Sequence, residues 1–187
     1  MLRDLGEGVY AASTGIELAR VELHGGDLVI AEREVRADFN FLSAKGETYF
    51  LSTMAALLAR LVRDQGRDED ALSLLVTAEQ ATSEDDVESQ ALWRAIRAPI
   101  FARRGDFEQG EALAQAAVDL TSGTENVNLR AEALLELATV LSYAGKLSEA
   151  RDRLNEALEM YSLKGNIVGA QAARHLLGQV GSRNDSK

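Results

Sequence analysis

Four glycines, Gly26, Gly66, Gly105 and Gly145, divide the chain at intervals of 40, 39 and 40 residues. Five residues after each stands a small residue: Ala31, Ala71, Gly110 and Ala150. Twelve after three of them stands alanine again, at Ala78, Ala117 and Ala157, while the first copy has Asp38. Seven before each, alanine recurs at Ala19, Ala59, Ala98 and Ala138. Offsets kept through four copies describe one supersecondary unit, repeated, whose apolar face is buried by its neighbours.

The unit is readable as a pair of helices. Apolar residues at spacings of three and four run up to each glycine, as in "ETYFLSTMAALLARLVRDQG" and "NVNLRAEALLELATVLSYAG". Glycine adopts the left-handed conformation that closes a helix C-terminus. A second helix starts two or three residues later, as in "DFEQGEALAQAAVDL". The recurrent alanines mark where the two helices of a pair approach closely. Ser83, followed by Glu84, Asp85 and Asp86, reads as an N-cap with acids in the first turn, and "SGTEN" at 122–126 has the same role. The pattern predicts an all-α array of four helix pairs, at 9–43, 47–82, 84–121 and 125–163. A capping helix follows at 166–180 and a flexible tail at 182–187, residues 1–181 forming a single domain.

Composition narrows the function classes. Alanine, leucine and glutamate dominate, and Pro99 is the one proline, so long helices are permitted. Cysteine is absent, which excludes disulfides and thiolate metal sites. The first twenty residues lack the apolar core of a signal peptide, and "MAALLA" at 54–59 is too short to span a membrane. A cytoplasmic location is expected. The net charge of −10, with eight acids between Asp68 and Glu88, repels phosphate backbones, so no nucleic-acid partner is expected.

The order small residue, seven to glycine, five to alanine, seven to alanine resembles the tetratricopeptide repeat. The fourth copy carries it best, on Ala138, Gly145, Ala150, Leu154 and Ala157. The resemblance implies a right-handed α-solenoid that binds a protein or peptide on its concave face. The usual repeat has 34 residues, so the first helix of each pair is lengthened at its start. A HEAT-like array has a comparable period, but the glycine–alanine offsets argue against it. Residues 16–177 also resemble the C-terminal helical region of large bacterial signalling regulators, in which a cyclase or DNA-binding domain and an ATPase module come first. That resemblance implies an effector-sensing regulatory segment as the alternative function. Pro99 and Gly110 depart from what that region usually shows.

No catalytic constellation is found, and the chain reads as a non-enzymatic binding module. "GEGVYA" at 6–11 fits a loose dinucleotide pattern but lacks the preceding strand. His24 and His175 have no metal-ligand spacing, so neither metal nor cofactor is expected. "SEDDVE" lacks the glycine and alternating oxygens of a calcium loop. Trp93, between Arg94 and Arg97, reads as a filler between repeats two and three with snorkelling arginines rather than as a peptide anchor. Pro99 either shapes a groove by kinking its helix or is tolerated drift.

In the tetratricopeptide family, the positions one and four beyond the recurrent alanine point into the concave face. The resemblance places Arg20 and Leu23, Arg60 and Arg63, Pro99 and Ala102, and Thr139 and Ser142 there, with Arg103 and Tyr143 one residue further on. Arg20, Arg60, Arg63, Arg103 and Tyr143 are therefore the candidate partner-binding residues. The arginines suit carboxylate recognition, or they pair with nearby acids such as Asp64 and Glu22 for solubility. A first repeat without an evident polar cap also permits homodimerisation.

Overall fold

A computed structural model describes residues 14–16 and 27–184, with side chains to Ser182. Among the described residues every regular element is α-helical. Beyond a helical segment at 14–16, they are α1 (Leu28–Ala44), α2 (Tyr49–Asp64), α3 (Asp68–Ala81), α4 (Val87–Arg103), α5 (Phe107–Thr121), α6 (Val127–Tyr143), α7 (Leu147–Lys164) and α8 (Ile167–Asn184). Contacts divide the chain into two compact units, Met1–Ser89 and Gln90–Lys187. In the first, α1 packs on α2 and α2 on α3. In the second, α5 packs on α6, α6 on α7 and α7 on α8, with a smaller contact between α6 and α8.

The turns inside the pairs form as the glycine spacing predicts. Gly66, Gly105 and Gly145 have φ of 81°, 87° and 75°. In each case the next residue's amide donates back to the carbonyl five residues earlier: Arg67 to Val62, Asp106 to Phe101 and Lys146 to Leu141, at 3.2, 3.0 and 2.9 Å. This satisfies one of the carbonyls that a helix end leaves open. Gly46 and Gly165 close α1 and α7 by the same bond, Glu47 to Leu42 and Asn166 to Tyr161, and the period had not singled them out. Gly26 lies outside the described residues.

The starts of α1, α5 and α6 are capped by side chains. Asp27 accepts from Val29 and Ile30, Asp106 from Gln109 and Asn126 from Leu129. The expected cap at Ser83 is displaced. Asp86 Oδ1 accepts from the Ser89 amide at 3.0 Å and α4 begins at Val87, while Ser83 belongs to the preceding turn. An acid next to the first turn competes better for the open amides than a hydroxyl three residues upstream. The Ser83 hydroxyl instead holds the Asp85 carboxyl below its usual range. The fourth pair, expected at 125–163, is α6 and α7, and the closing helix extends to Asn184 rather than 180.

Alanines at the repeat positions form the close contacts. Ala31, Ala59, Ala71, Ala78, Ala98, Ala117, Ala138, Ala150 and Ala157 are all at most 1% exposed. Around them the first unit buries Val35, Leu42, Met54, Leu57, Leu58, Leu61 and Leu75, and the second Ile96, Ile100, Leu134, Leu154 and Tyr161. Each such side chain contributes about 1.5–3 kcal/mol of transfer free energy.

Two departures from the pattern prove to be local adjustments. Asp38, where other copies have alanine, is buried and faces Gly15: a Cβ on that glycine would lie 2.5 Å from Asp38 Oδ2. The missing side chain makes room for the carboxylate. Gly110 lies against α4 so closely that a Cβ would sit 2.9 Å from the Ala98 carbonyl oxygen and 3.3 Å from the Ala102 nitrogen. Those residues flank Pro99, which is itself buried in a helix that continues to Arg103. The two residues singled out as unusual therefore meet at one place.

Candidate functional site

The exposed ends of the first helices are the places to seek a partner. At the C-terminal end of α6, Thr139, Ser142 and Tyr143 line a cleft with Ala138 of the same helix, Leu154 of α7, and Leu176, Gln179 and Val180 of α8. Its volume is ≈ 60 Å³. Thr139 Oγ1 donates to the Leu135 carbonyl at 2.9 Å, leaving its methyl group as the apolar part of the wall. Tyr143 is 39% exposed, so an aromatic ring stands beside an opening with apolar walls. Gln179 shares a 2.8 Å hydrogen bond with His175.

The arginine candidates are not equivalent. Arg20 lies outside the described residues, as does Glu22. Arg60 is half-buried and Arg103 is exposed. Arg63 is only 7% exposed, and its Nε donates to Asp64 Oδ1 at 2.9 Å, the local pairing that the solubility reading expects. Pro99 and Ala102, at the corresponding positions of the third copy, are buried. Thr139 and Ser142, at those positions in the fourth, do open onto the cleft. Periodicity assigns a side to each residue, but whether the side is open depends on how near the next element comes.

Trp93 is 4% exposed, as a packing role requires. Its arginine neighbours do not merely snorkel. The Arg94 and Arg97 guanidinium carbons stand 4.0 and 4.6 Å from its ring centroid, so cations flank the indole. Arg94 also donates from Nη1 to the Gln90 carbonyl at 2.6 Å.

A second opening was not foreseen. It lies in the first unit, at the starts of α2 and α4, lined by Ile16, Tyr49, Phe50, Thr53, Asp86 and Glu88, with a volume of ≈ 190 Å³. The available signal was the adjacent aromatics Tyr49 and Phe50 near the start of the second pair.

Among the described residues, no group of three or more histidine, cysteine, aspartate or glutamate side chains could hold a metal ion. No described helix is long and apolar enough to cross a membrane. Among the described residues the strongest titration shift belongs to Glu32, whose carboxyl falls from 4.5 to about 2. The Arg67 guanidinium is the main cause, with Arg36 and Gln65 assisting against the opposing effect of burial. This is an inter-repeat ion pair, without the geometry of an acid or base.

Residues 89–162 match the tetratricopeptide repeat family. The fold is also similar to a crystal structure of BtubC (BKLC) from P. vanneervenii, with a TM-score of 0.55 and 17% identity. That match covers 98% of this chain and 93% of the other. At that identity the likeness is one of fold. Comparison with curated proteins gives no match. The helix content, the repeat match and the structural neighbour agree on an all-α solenoid architecture of helix pairs. Tetratricopeptide repeats generally mediate protein–protein interaction, which supports a scaffold role.

Proposed function

We propose that the chain binds a peptide or protein segment on the open faces of its first helices, without acting chemically on it. Arg60 belongs to that face in the first unit, and Arg103 and Tyr143 in the second, whereas Arg63 is buried against Asp64. The observation that carries the reading is the cleft at Thr139, Ser142 and Tyr143, three positions that the family resemblance assigns to the concave face. Small-molecule sites occupy about 300–1,000 Å³, whereas this cleft has ≈ 60 Å³. It suits one apolar side chain of a bound segment better than a diffusible effector. That size favours the adaptor reading over the effector-sensing segment of a bacterial regulator.

The test uses purified full-length chain to capture binders from lysate of the source cells, followed by affinity measurement with the purified binder. Wild type is compared with Tyr143→Ala, Thr139→Asp and Arg103→Glu, all at residues outside the buried core. Loss of affinity by at least tenfold in Tyr143→Ala, with melting temperature unchanged, supports the site. Unchanged affinity in all three variants overturns it. Stabilisation by a small metabolite, abolished by the same variants, would instead establish the effector reading.

A further inference from the structure

We propose that α8 is an open first helix whose uncovered face takes an amphipathic helix of a partner protein, laid across it as α7 lies across α6. α6 begins at Val127 and α8 at Ile167, one repeat interval of 40 residues apart. Each residue of α8 therefore has a counterpart on α6.

One side of the pattern is kept and covered. Leu129, Ala133 and Val140 of α6 are buried, and so are their counterparts Gly169, Ala173 and Val180 of α8. This is the side that meets the preceding second helix. A Cβ on Gly169 would lie 2.5 Å from Tyr161 Cδ1 of α7.

The opposite side is kept in spacing but not in cover. On α6, which packs on both α5 and α7, Ala131, Leu134, Ala138 and Leu141 are at most 3% exposed. Their counterparts on α8 are Gln171, Arg174, Gly178 and Gly181. Gln171, Arg174 and Gly178 are exposed, and nothing lies within 4 Å of a Cβ on Gly178 or Gly181. Ile167 heads the same stripe at helical spacing and is 70% exposed. Within the second unit α8 packs on α7 and α6, and no described helix lies over this stripe.

The guest is a helix because the face continues an interface already built 40 residues earlier, whose occupant is a helix. Ile167 and half-buried Leu177 supply apolar contact. Gly178 holds the position at which Ala138 lets α7 approach closely. Arg174, where α6 has Leu134, suits a guest that brings a carboxylate. Permanent interfaces are more apolar than this face, so the guest is one that associates and leaves. A stable dimer needs about 800 Å² from each copy, more than one helix stripe presents, which argues against a second copy as the occupant. The stripe is separate from Leu176, Gln179 and Val180, by which α8 lines the Tyr143 cleft.

The experiment is an amide-resolved NMR titration of the full chain with a synthetic peptide of its own α7 sequence, Leu147–Lys164. That peptide carries the Ala150, Leu154 and Ala157 face that the fold buries. Shifts should gather at 167–181. Gly178→Ala, which restores the residue of the other copies, should keep the apparent affinity within about threefold, whereas Gly178→Leu should lower it by about tenfold or more by holding the guest helix away. Both substitutions enter open space and raise helix propensity, so neither should lower the melting temperature. Arg174→Glu should weaken binding by about threefold or more, and Tyr143→Ala should leave it unchanged. An absent response overturns the proposal, as do equal affinities for Gly178→Ala and Gly178→Leu. Shifts confined to 127–143 would mean that the peptide replaces α7 on α6, and they overturn it too. So does a dimer in sedimentation that Gly178→Leu dissolves, since the face would then belong to a second copy.

Discussion

The Glu32 carboxylate of α1 accepts from the Arg67 guanidinium, 35 residues away in the turn between α2 and α3. The same interval separates Glu111 of α5 from Lys146, whose Nζ lies 2.7 Å from Glu111 Oε2 in the turn between α6 and α7. Glu32 and Glu111 each stand six residues after a repeat glycine, and Arg67 and Lys146 each stand one after. The pair is thus a repeat feature, tying one second helix to the following turn. The second and fourth copies do not have it, since Leu72 and Arg151 occupy the acid's position.

Glu32 should make stability depend on pH in acid. Its carboxyl is depressed to about 2 in the folded chain, so the unfolded chain binds the proton more readily. Its contribution is complete above the ordinary value of 4.5, erodes as pH falls and disappears near 2. In urea unfolding, Glu32→Gln should cost about 1–2 kcal/mol at pH 7 after solvent screening. The gap to wild type should narrow steadily through pH 4 and 3. A gap independent of pH would dissociate the stability from the ion pair.

Gly110→Ala tests the close approach to α4. Alanine would gain about 1 kcal/mol of helix propensity. Against this, the new methyl meets backbone atoms at 2.9 and 3.3 Å, which cannot swing aside as a side chain would. The overpacking cost of about 1–3 kcal/mol should win, giving net destabilisation in chemical denaturation. A stabilised variant would show that the helices separate freely here.

Gly66→Ala isolates conformation from space. Nothing lies within 4 Å of a Cβ at Gly66, yet its φ is +81°. The expected loss is about 1 kcal/mol, with Gly66→Asn milder and Gly66→Val more severe. If all three substitutions melt alike, the left-handed turn is not what holds the position.

Leu154 and Leu163 lie on the same helix with opposite exposures, 1% and 87%. Leu154→Asp should unfold the α6–α7 pair by burying an unpaired charge. Leu163→Asp should stay within about 0.5 kcal/mol of wild type. Circular dichroism melts separate the outcomes, and a helical Leu154→Asp with unchanged midpoint would refute the packing of the fourth repeat.

The repeat was legible because its glycines and alanines answer to local rules. A left-handed turn and a close helix contact each admit few residue types, so their spacing survives in the letters. Gly46 and Gly165 escaped because they end the second helix of a pair, where the period is not kept in every copy. The place of Asp86 as the cap of α4 was hidden because Ser83 and Asp85, close by, could also serve. Recognition surfaces were less legible still. Arg63 and Thr139 occupy related positions, yet one is buried against Asp64 and the other lines a cleft. That difference arises from tertiary distances that no helical period encodes.

Within each unit the helices pack chiefly on their neighbours in sequence, with α8 reaching back no further than α6. Such contacts require only short loops to close before they form. Folding should therefore be fast, on the microsecond-to-millisecond scale of chains rich in local contacts. Structure can begin at any well-packed pair and grow outward. A destabilising change would then act as a local defect, fraying helices beside it while distant pairs keep their protection against hydrogen exchange.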